Sequence, residues 1–186
     1  MTTQSQPSTK RAWVFDSMHS SAEFAIKHMM FMTVRGRSSK IEADIAFDES
    51  QPERSSLDAR IGVASIDTRE PGRDAHLLSA DFFDAEKYPV ITFKSRRIEP
   101  HKGGRYAIVG DLTIRDITRE VVFDTEFGGI AMDPWGNQRA GFSAEASINR
   151  KDFGLTWNVA LETGGVVVGE TVKVSLEAEL VKQLAK

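Results

Sequence analysis

An all-β chain closed into an antiparallel barrel of about eight strands is what this sequence predicts, on three observations. Apolar and polar residues alternate with a period of two along most of the chain. Turn signals rich in glycine separate the alternating runs, and no long amphipathic helix is available to cover an open sheet.

The runs follow in order. Phe24 and Ile26 alternate with Ala25 and Lys27, and Ile41 to Phe47 repeats the pattern with Glu42 and Asp44 facing out. Leu57, Ala59, Ile61 and Val63 share one face against Asp58 and Arg60. Ile91 and Phe93 alternate with Thr92 and Lys94, and His101-Lys102-Gly103-Gly104 then reads as a hairpin loop, since glycine accepts a positive φ without a Cβ clash. Tyr106, Ile108, Leu112 and Ile114 share a face, as do Val121, Phe123 and Phe127. Gly128-Gly129 and Asp133-Pro134-Trp135-Gly136-Asn137 punctuate the next connection. Phe142 to Ile148 alternates against Ser143, Glu145 and Ser147, and Val172 to Leu180 against Lys173, Ser175, Glu177 and Glu179. Gly164-Gly165 and Gly169 bracket a valine run that reads as a turn into this last strand.

Glu70 to Pro89 breaks the period. Its apolar residues cluster as short helical turns place them, so a short irregular helical insertion around 70–89 is expected on or across a barrel mouth. A sandwich of two sheets would also bury one face of every strand. A run as long as Val166 to Lys182 favours closure instead, and about eight twisted strands leave room for one small ligand.

Composition narrows the function. The 186 residues suit one domain, residues 11–186, behind a disordered tail at 1–10. With 24 basic and 27 acidic residues the formal charge is only −3, which gives no global attraction to nucleic acid. The basic features Lys94-Ser95-Arg96-Arg97 and His101-Lys102 read as solvated residues flanking a turn. Cysteine is absent, which excludes thiolate nucleophiles, iron–sulfur clusters and cysteine-based zinc sites. The first eleven residues hold no apolar signal-peptide core, and no window approaches the roughly 18 apolar residues of a membrane-spanning helix. A cytoplasmic protein is therefore expected.

Motifs for catalysis fail on inspection. Asp152-Phe153-Gly154 spells a kinase triplet, but Ile114 stands where the catalytic loop needs histidine, Val121 where it needs asparagine, and no glycine-rich loop precedes them. His19, His28, His76 and His101 show no metal-ligand spacing, so no metal or cofactor is expected. Arg73-Asp74-Ala75-His76 is the most polar part of the insertion. It reads either as an Arg–Asp ion pair holding the insertion down or as a polar cap at a pocket mouth. The 11 phenylalanines outnumber the two tyrosines, so most aromatic surface lacks a polar tip and belongs in a dry interior.

Trp13, Asp16 to Ser20, Phe24, Lys27-His28, Val34 and Gly36 together resemble the opening of YceI-like proteins. Ser65 to Thr68, Arg73 to Leu77, Asp81 to Asp84, Tyr88-Pro89 with Ile91 to Phe93, and Gly110 to Ile114 continue the likeness. Gly141 to Ala144, Ile148 to Arg150, Asp152 to Gly154 and Trp157 complete it in the same order. The likeness spans Trp13 to Leu180, and Arg115-Asp116 departs from it where a Lys/Arg-Gly turn is expected.

The resemblance implies a lipocalin-like, eight-stranded barrel holding an isoprenoid chain, such as a prenyl diphosphate or quinone tail, or another long-chain apolar lipid, without catalysis. It also implies a homodimer. On that reading the lumen is lined by Phe24, Ile26, Ile45, Ile61 and Val63, and by Phe82, Ile91, Phe93, Ile108 and Leu112. Phe123, Phe142, Ile148 and Trp157 complete the lining, and His28, Arg73, Asp74 and His76 form a polar mouth. Two other functions stay open: an enzyme using Asp74, His76 and Arg73 on a hydrophobic substrate in the same cavity, and a dimeric scaffold with a filled core.

Overall fold

A computed structural model describes residues 12–183; the expected tail at 1–10 lies outside them. Ten strands form one antiparallel sheet. They are β1 (Trp13–His28), β2 (Met32–Ser38), β3 (Ile41–Ala46), β4 (Ser56–Gly62) and β5 (Ile66–Asp67). After α1 (Pro71–Leu78) come β6 (Val90–Pro100), β7 (Tyr106–Ile114), β8 (Ile117–Met132), β9 (Gln138–Asn149) and β10 (Val168–Lys182). β6 to β10 form a meander of sequential antiparallel neighbours, and β10 pairs with β1 along almost its whole length.

The difference from the expected eight strands has a simple cause. β2 and β3 are one segment of chain bent at Ser39-Lys40, whose first half pairs with β1 and whose second half pairs with β4. The pairing continues through the bend, where Gly62 N donates to Lys40 O (3.0 Å) and Ser39 N to Ser65 O (3.4 Å). Counting β2 and β3 as one, and setting aside the two-residue β5, leaves eight strands around the barrel. The bend is what carries the sheet from β1 to β4 and closes it.

Side chains seal one end. Trp13, Ala140 and Leu180 are buried there with Phe15, Ile45, Phe47, Phe127 and Phe142 packed on them. Phe47 stands edge-on to Trp13 (5.7 Å) and Phe142 (5.1 Å), within the separations aromatic pairs prefer. Glu49 fastens this corner by accepting from Trp13 Nε1 (2.9 Å) and Lys182 Nζ (2.7 Å). A second cluster, including Phe82, Phe93, Leu112, Phe123, Phe153 and Leu155, runs toward the opposite end.

A wide bulge interrupts β1 between Asp16 and Ser21, where the register against β10 shifts. Asp16 organises it by accepting from Met18 N (2.9 Å) and His19 Nδ1 (2.8 Å). Asp16, His19 and Glu179 come within metal-ligand reach of one another. The Arg139 guanidinium already sits among these charges: it donates to Asp16 (3.0 Å), Asp133 (2.7 Å) and Glu179. The hydrogen bond from His19 and that from Arg139 lower Asp16 from 3.8 to about 2 against the opposing effect of burial. Arg139 likewise holds Asp133 well below the ordinary carboxylate range.

Both carboxyls have folded pKa values depressed below their unfolded ones. Their stabilisation is full above about 4 and is lost as pH falls through the folded values, about 2 for Asp16. Urea denaturation should therefore show stability falling from pH 4 to pH 2. Arg139→Met should flatten that fall and lower stability at neutral pH; an unchanged acid profile would show that the network is not a stability element.

Candidate functional site

The lumen holds a cavity of about 510 Å³ whose wall is almost wholly apolar. Alternation builds it, because every second residue of each strand points inward. β1 contributes Phe24 and Ile26; β3 and β4 contribute Ile45 and Ile61; β6 contributes Ile91 and Phe93. Ile108 and Leu112 of β7, Phe123 of β8, and Phe142 and Ile148 of β9 continue the wall, with Phe82 and Trp157 near the α1 end. All of these are expected positions.

Small residues keep the middle open. Gly36 lies under the Phe24 ring so closely that a Cβ would stand 2.3 Å from Phe24 Cζ. Gly110 does the same for Phe93, at 2.6 Å from Phe93 Cζ and 2.4 Å from Lys94 O. The two rings thus lie against the wall. Ala43, Ala59 and Ala144 also line the cavity with little side-chain volume.

Two expected residues fall outside the wall. Val63 is fully buried, but it opens a 3₁₀ turn (Val63–Ser65) that ends the two-residue period of β4. Its amide donates to Pro89 O (2.9 Å), which fixes the turn against the end of the insertion and away from the lumen. Asp74 is the other. It accepts from Thr68 N (2.9 Å) and Thr68 Oγ1 (2.5 Å) instead of facing the cavity.

The mouth is built on α1 and the loops beside it. Glu70 caps α1 by accepting from Gly72 N (3.1 Å) and Arg73 N (2.5 Å), and Pro71 sits at the first turn, where its missing N–H costs no hydrogen bond. Arg73 lines the cavity and donates from Nε to Thr68 Oγ1 (2.7 Å) and from Nη2 to Thr68 O (2.8 Å). Arg73 and Asp74 therefore converge on buried Thr68, in place of the direct ion pair the sequence suggested. His76 lines the cavity too, held by Asp81 (2.9 Å) between the rings of Phe82 and Trp157. His28, exposed at the end of β1, completes the polar edge.

Sequence reasoning missed Arg150. It is 4% exposed and lines the cavity, and burial lowers its pKa. Its guanidinium donates to Gly169 O (2.7 Å), Leu155 O (2.5 Å) and Val168 O (3.3 Å), tying the loop after β9 to the start of β10. The sequence marks it only as a cation following the strand end Ile148-Asn149 and as part of the ordered family likeness. Among the described residues no lumen hydroxyl is hydrogen-bonded to a histidine; the Thr68 hydroxyl is held by Asp74 and Arg73. The arrangement can enclose an apolar chain and orient one polar head.

The family model for the YceI-like domain matches residues 13–180. The chain belongs to the YceI-like family. A YceI-like relative, the UPF0312 protein SA2479 of Staphylococcus aureus strain N315, is 39% identical over 168 residues, covering 90% of this chain and 95% of that protein. Among solved structures, Burkholderia cenocepacia BcnA superposes with a TM-score of 0.73 at 25% identity, covering 89% of this chain and 98% of that one. The Campylobacter jejuni YceI protein gives 0.72 at 32% identity, covering 86% and 91%. A Saccharophagus degradans domain described as polyisoprenoid-binding, and as implicated in plant cell wall breakdown, gives 0.69 at 13% identity over 94% and 100% of the two chains. That last likeness is one of fold, and the lipocalin-like barrel implied by the resemblance is the fold observed.

Replacing Arg150 with methionine takes the guanidinium donor from the Gly169 and Leu155 carbonyls, while Val168 O keeps its bond from Asn158 Nδ2 (2.7 Å). Arg150→Met should lower the free energy of urea unfolding by about 3 kcal/mol. Hydrogen exchange should speed up first in residues 155–168. Exchange that accelerates uniformly would refute a local role in holding the mouth.

Proposed function

We propose that this YceI-like barrel is a non-catalytic binder or carrier of a long apolar chain of the isoprenoid class, held in the lumen with its head at the α1 end. One observation carries the reading: a single apolar cavity of about 510 Å³ extends from Phe127 and Phe142, near the sealed end, to His76 and Trp157 at the mouth. That volume falls within the roughly 300–1,000 Å³ of ordinary ligand pockets. Each buried CH₂ contributes roughly 0.8 kcal/mol, so a chain of about ten buried carbons gains roughly 8 kcal/mol before the losses of association.

The class of cargo rests on the family resemblance and on the description of the Saccharophagus domain. The head would meet the polar edge. Arg73 Nη1 has no partner among the described residues, while Nε and Nη2 fix the guanidinium in place, which suits an anionic or carbonyl head. The proposed assembly is a homodimer, as the resemblance implies, and sedimentation velocity reads it directly.

Lipid extracted from gently purified protein and identified by mass spectrometry should contain a prenyl chain, and the emptied protein should take up added prenol. Ala144→Trp, which fills the middle of the lumen, should weaken prenol uptake by about tenfold or more while circular dichroism stays that of a β-barrel. A reproducibly empty protein that also ignores added prenol would overturn the reading.

A further inference from the structure

The turn joining β1 to β2 is the wrong chemistry for a solvated hairpin. Met29 and Met30 both hold left-handed backbone, with φ of 52° and 69°, where asparagine or glycine is the usual occupant. No polar residue stands at its tip: Met30 is 60%, Phe31 72% and Met32 57% exposed. The turn sits at the mouth. Met29 N donates to Val167 O (2.9 Å), Met30 rests against Gly165, and Val167 and His28 line the cavity. Val159, on the same loop, is 49% exposed and widens the apolar surface.

The outer face of the sheet below this tip is basic. Val34 and Val172 line the lumen, so Arg35 and Lys173 on the alternating positions face out, and Lys27 is exposed at the cavity rim. Arg35 and Lys173 lie level with each other across Ala25 of β1, and Lys27 lies level with Thr33. Lys27 Nζ donates to Thr33 Oγ1 (3.1 Å) and Phe31 O (3.5 Å), bracing the turn. None of the three cations is paired with a carboxylate among the described residues. The nearby acids are differently placed: Glu170 is held by Lys151 (2.5 Å), and Glu23 lies a row further from the tip, opposite Arg37. Glu162 is the one acid of the adjoining 158–167 loop.

We infer that this tip docks the barrel on an anionic lipid surface. Met30, Phe31 and Met32 enter the interfacial layer while Lys27, Arg35 and Lys173 meet the headgroups, which sets the mouth against the membrane. Apolar burial and basic attraction together are the usual requirements for reversible surface binding. The inference rests on the proposed lipid cargo only for what the docking serves, namely exchange of that cargo with a bilayer.

Flotation with vesicles of phosphatidylcholine alone, or of phosphatidylcholine with phosphatidylglycerol, tests it on the full chain. The protein should float with the anionic vesicles and much less with the neutral ones. Met30→Asn combined with Phe31→Ser should reduce flotation by about tenfold, and asparagine accepts the left-handed backbone, so the fold should survive. Arg35→Glu with Lys173→Glu should remove the preference for anionic vesicles, while Trp135→Ser, at the opposite end of the barrel, should change nothing. Prenol uptake measured in detergent, away from any bilayer, should be the same in the tip variant and the wild type. Wild-type protein that ignores both vesicle types, or a tip variant that floats as well as wild type, would overturn the docking. Concentration-dependent self-association abolished by the tip substitutions, without vesicle binding, would assign the surface to a second copy and also overturn it. Prenol uptake lost in wild type would strike the cargo and leave the docking result standing.

Discussion

Closure of the sheet through one bent segment is the constraint on which the rest depends. An open sheet would expose two edges of unpaired backbone groups and would leave its apolar face to find another layer. Here β2 binds β1, the chain bends at Ser39-Lys40, and β3 binds β4, so one continuous segment carries the sheet round from β1 to β4. Every inward residue then faces one shared interior. An eight-stranded barrel is just wide enough for its side chains to fill the interior or to leave room for one small ligand. Which of the two occurs depends on the inward rows. Gly36 and Gly110 let Phe24 and Phe93 lie against the wall, and Ala43, Ala59 and Ala144 leave the centre unfilled.

The two ends of the barrel are unequal, and that inequality gives the lumen a direction. At one end Trp13, Phe47, Phe127 and Phe142 interlock and Glu49 bridges Trp13 to Lys182. At the other, irregular backbone takes over: α1, the segment after it, and the loop that Arg150 ties to β10. Irregular segments held by a few polar anchors open at lower free energy than packed strands do. Access is therefore expected where Thr68 and Arg150 are the anchors, and the apolar body of the proposed cargo would lie inward from there.

The strands were legible because one-sided burial imposes a period of two that the chain cannot conceal. From Phe24 to Leu180 nearly every inward residue could be named from alternation, yet alternation alone could not distinguish a cavity from a filled core. Val63 shows where the method fails: a 3₁₀ turn begins there, and the side chain is buried in a contact the period does not describe. Asp74 and Arg73 were recognisable as a polar pair, but their common partner is Thr68, which no spacing rule connects to both. Arg150 was illegible for the same reason, since its partners Gly169 and Val168 are distant in sequence and are backbone carbonyls. The class of cargo came from the ordered family resemblance, because an apolar wall carries no signature of the molecule it encloses.

Selectivity in such a site cannot come mainly from the wall. One methylene more or less in an apolar pocket is worth only about 1–3 kcal/mol, and a flexible chain can shift along the lumen to recover part of it. Branched and straight chains differ in shape, so the flattened rings of Phe24 and Phe93 discriminate to some degree, but both kinds bury comparable area. The polar edge differs in kind. A group fixed as Arg73 is by Thr68, beside His76 held by Asp81, loses little freedom when it meets a head, and it penalises a head that cannot accept its hydrogen bonds. In the proposed carrier role the lumen sets how tightly an apolar chain is held, and the mouth sets which chain is accepted.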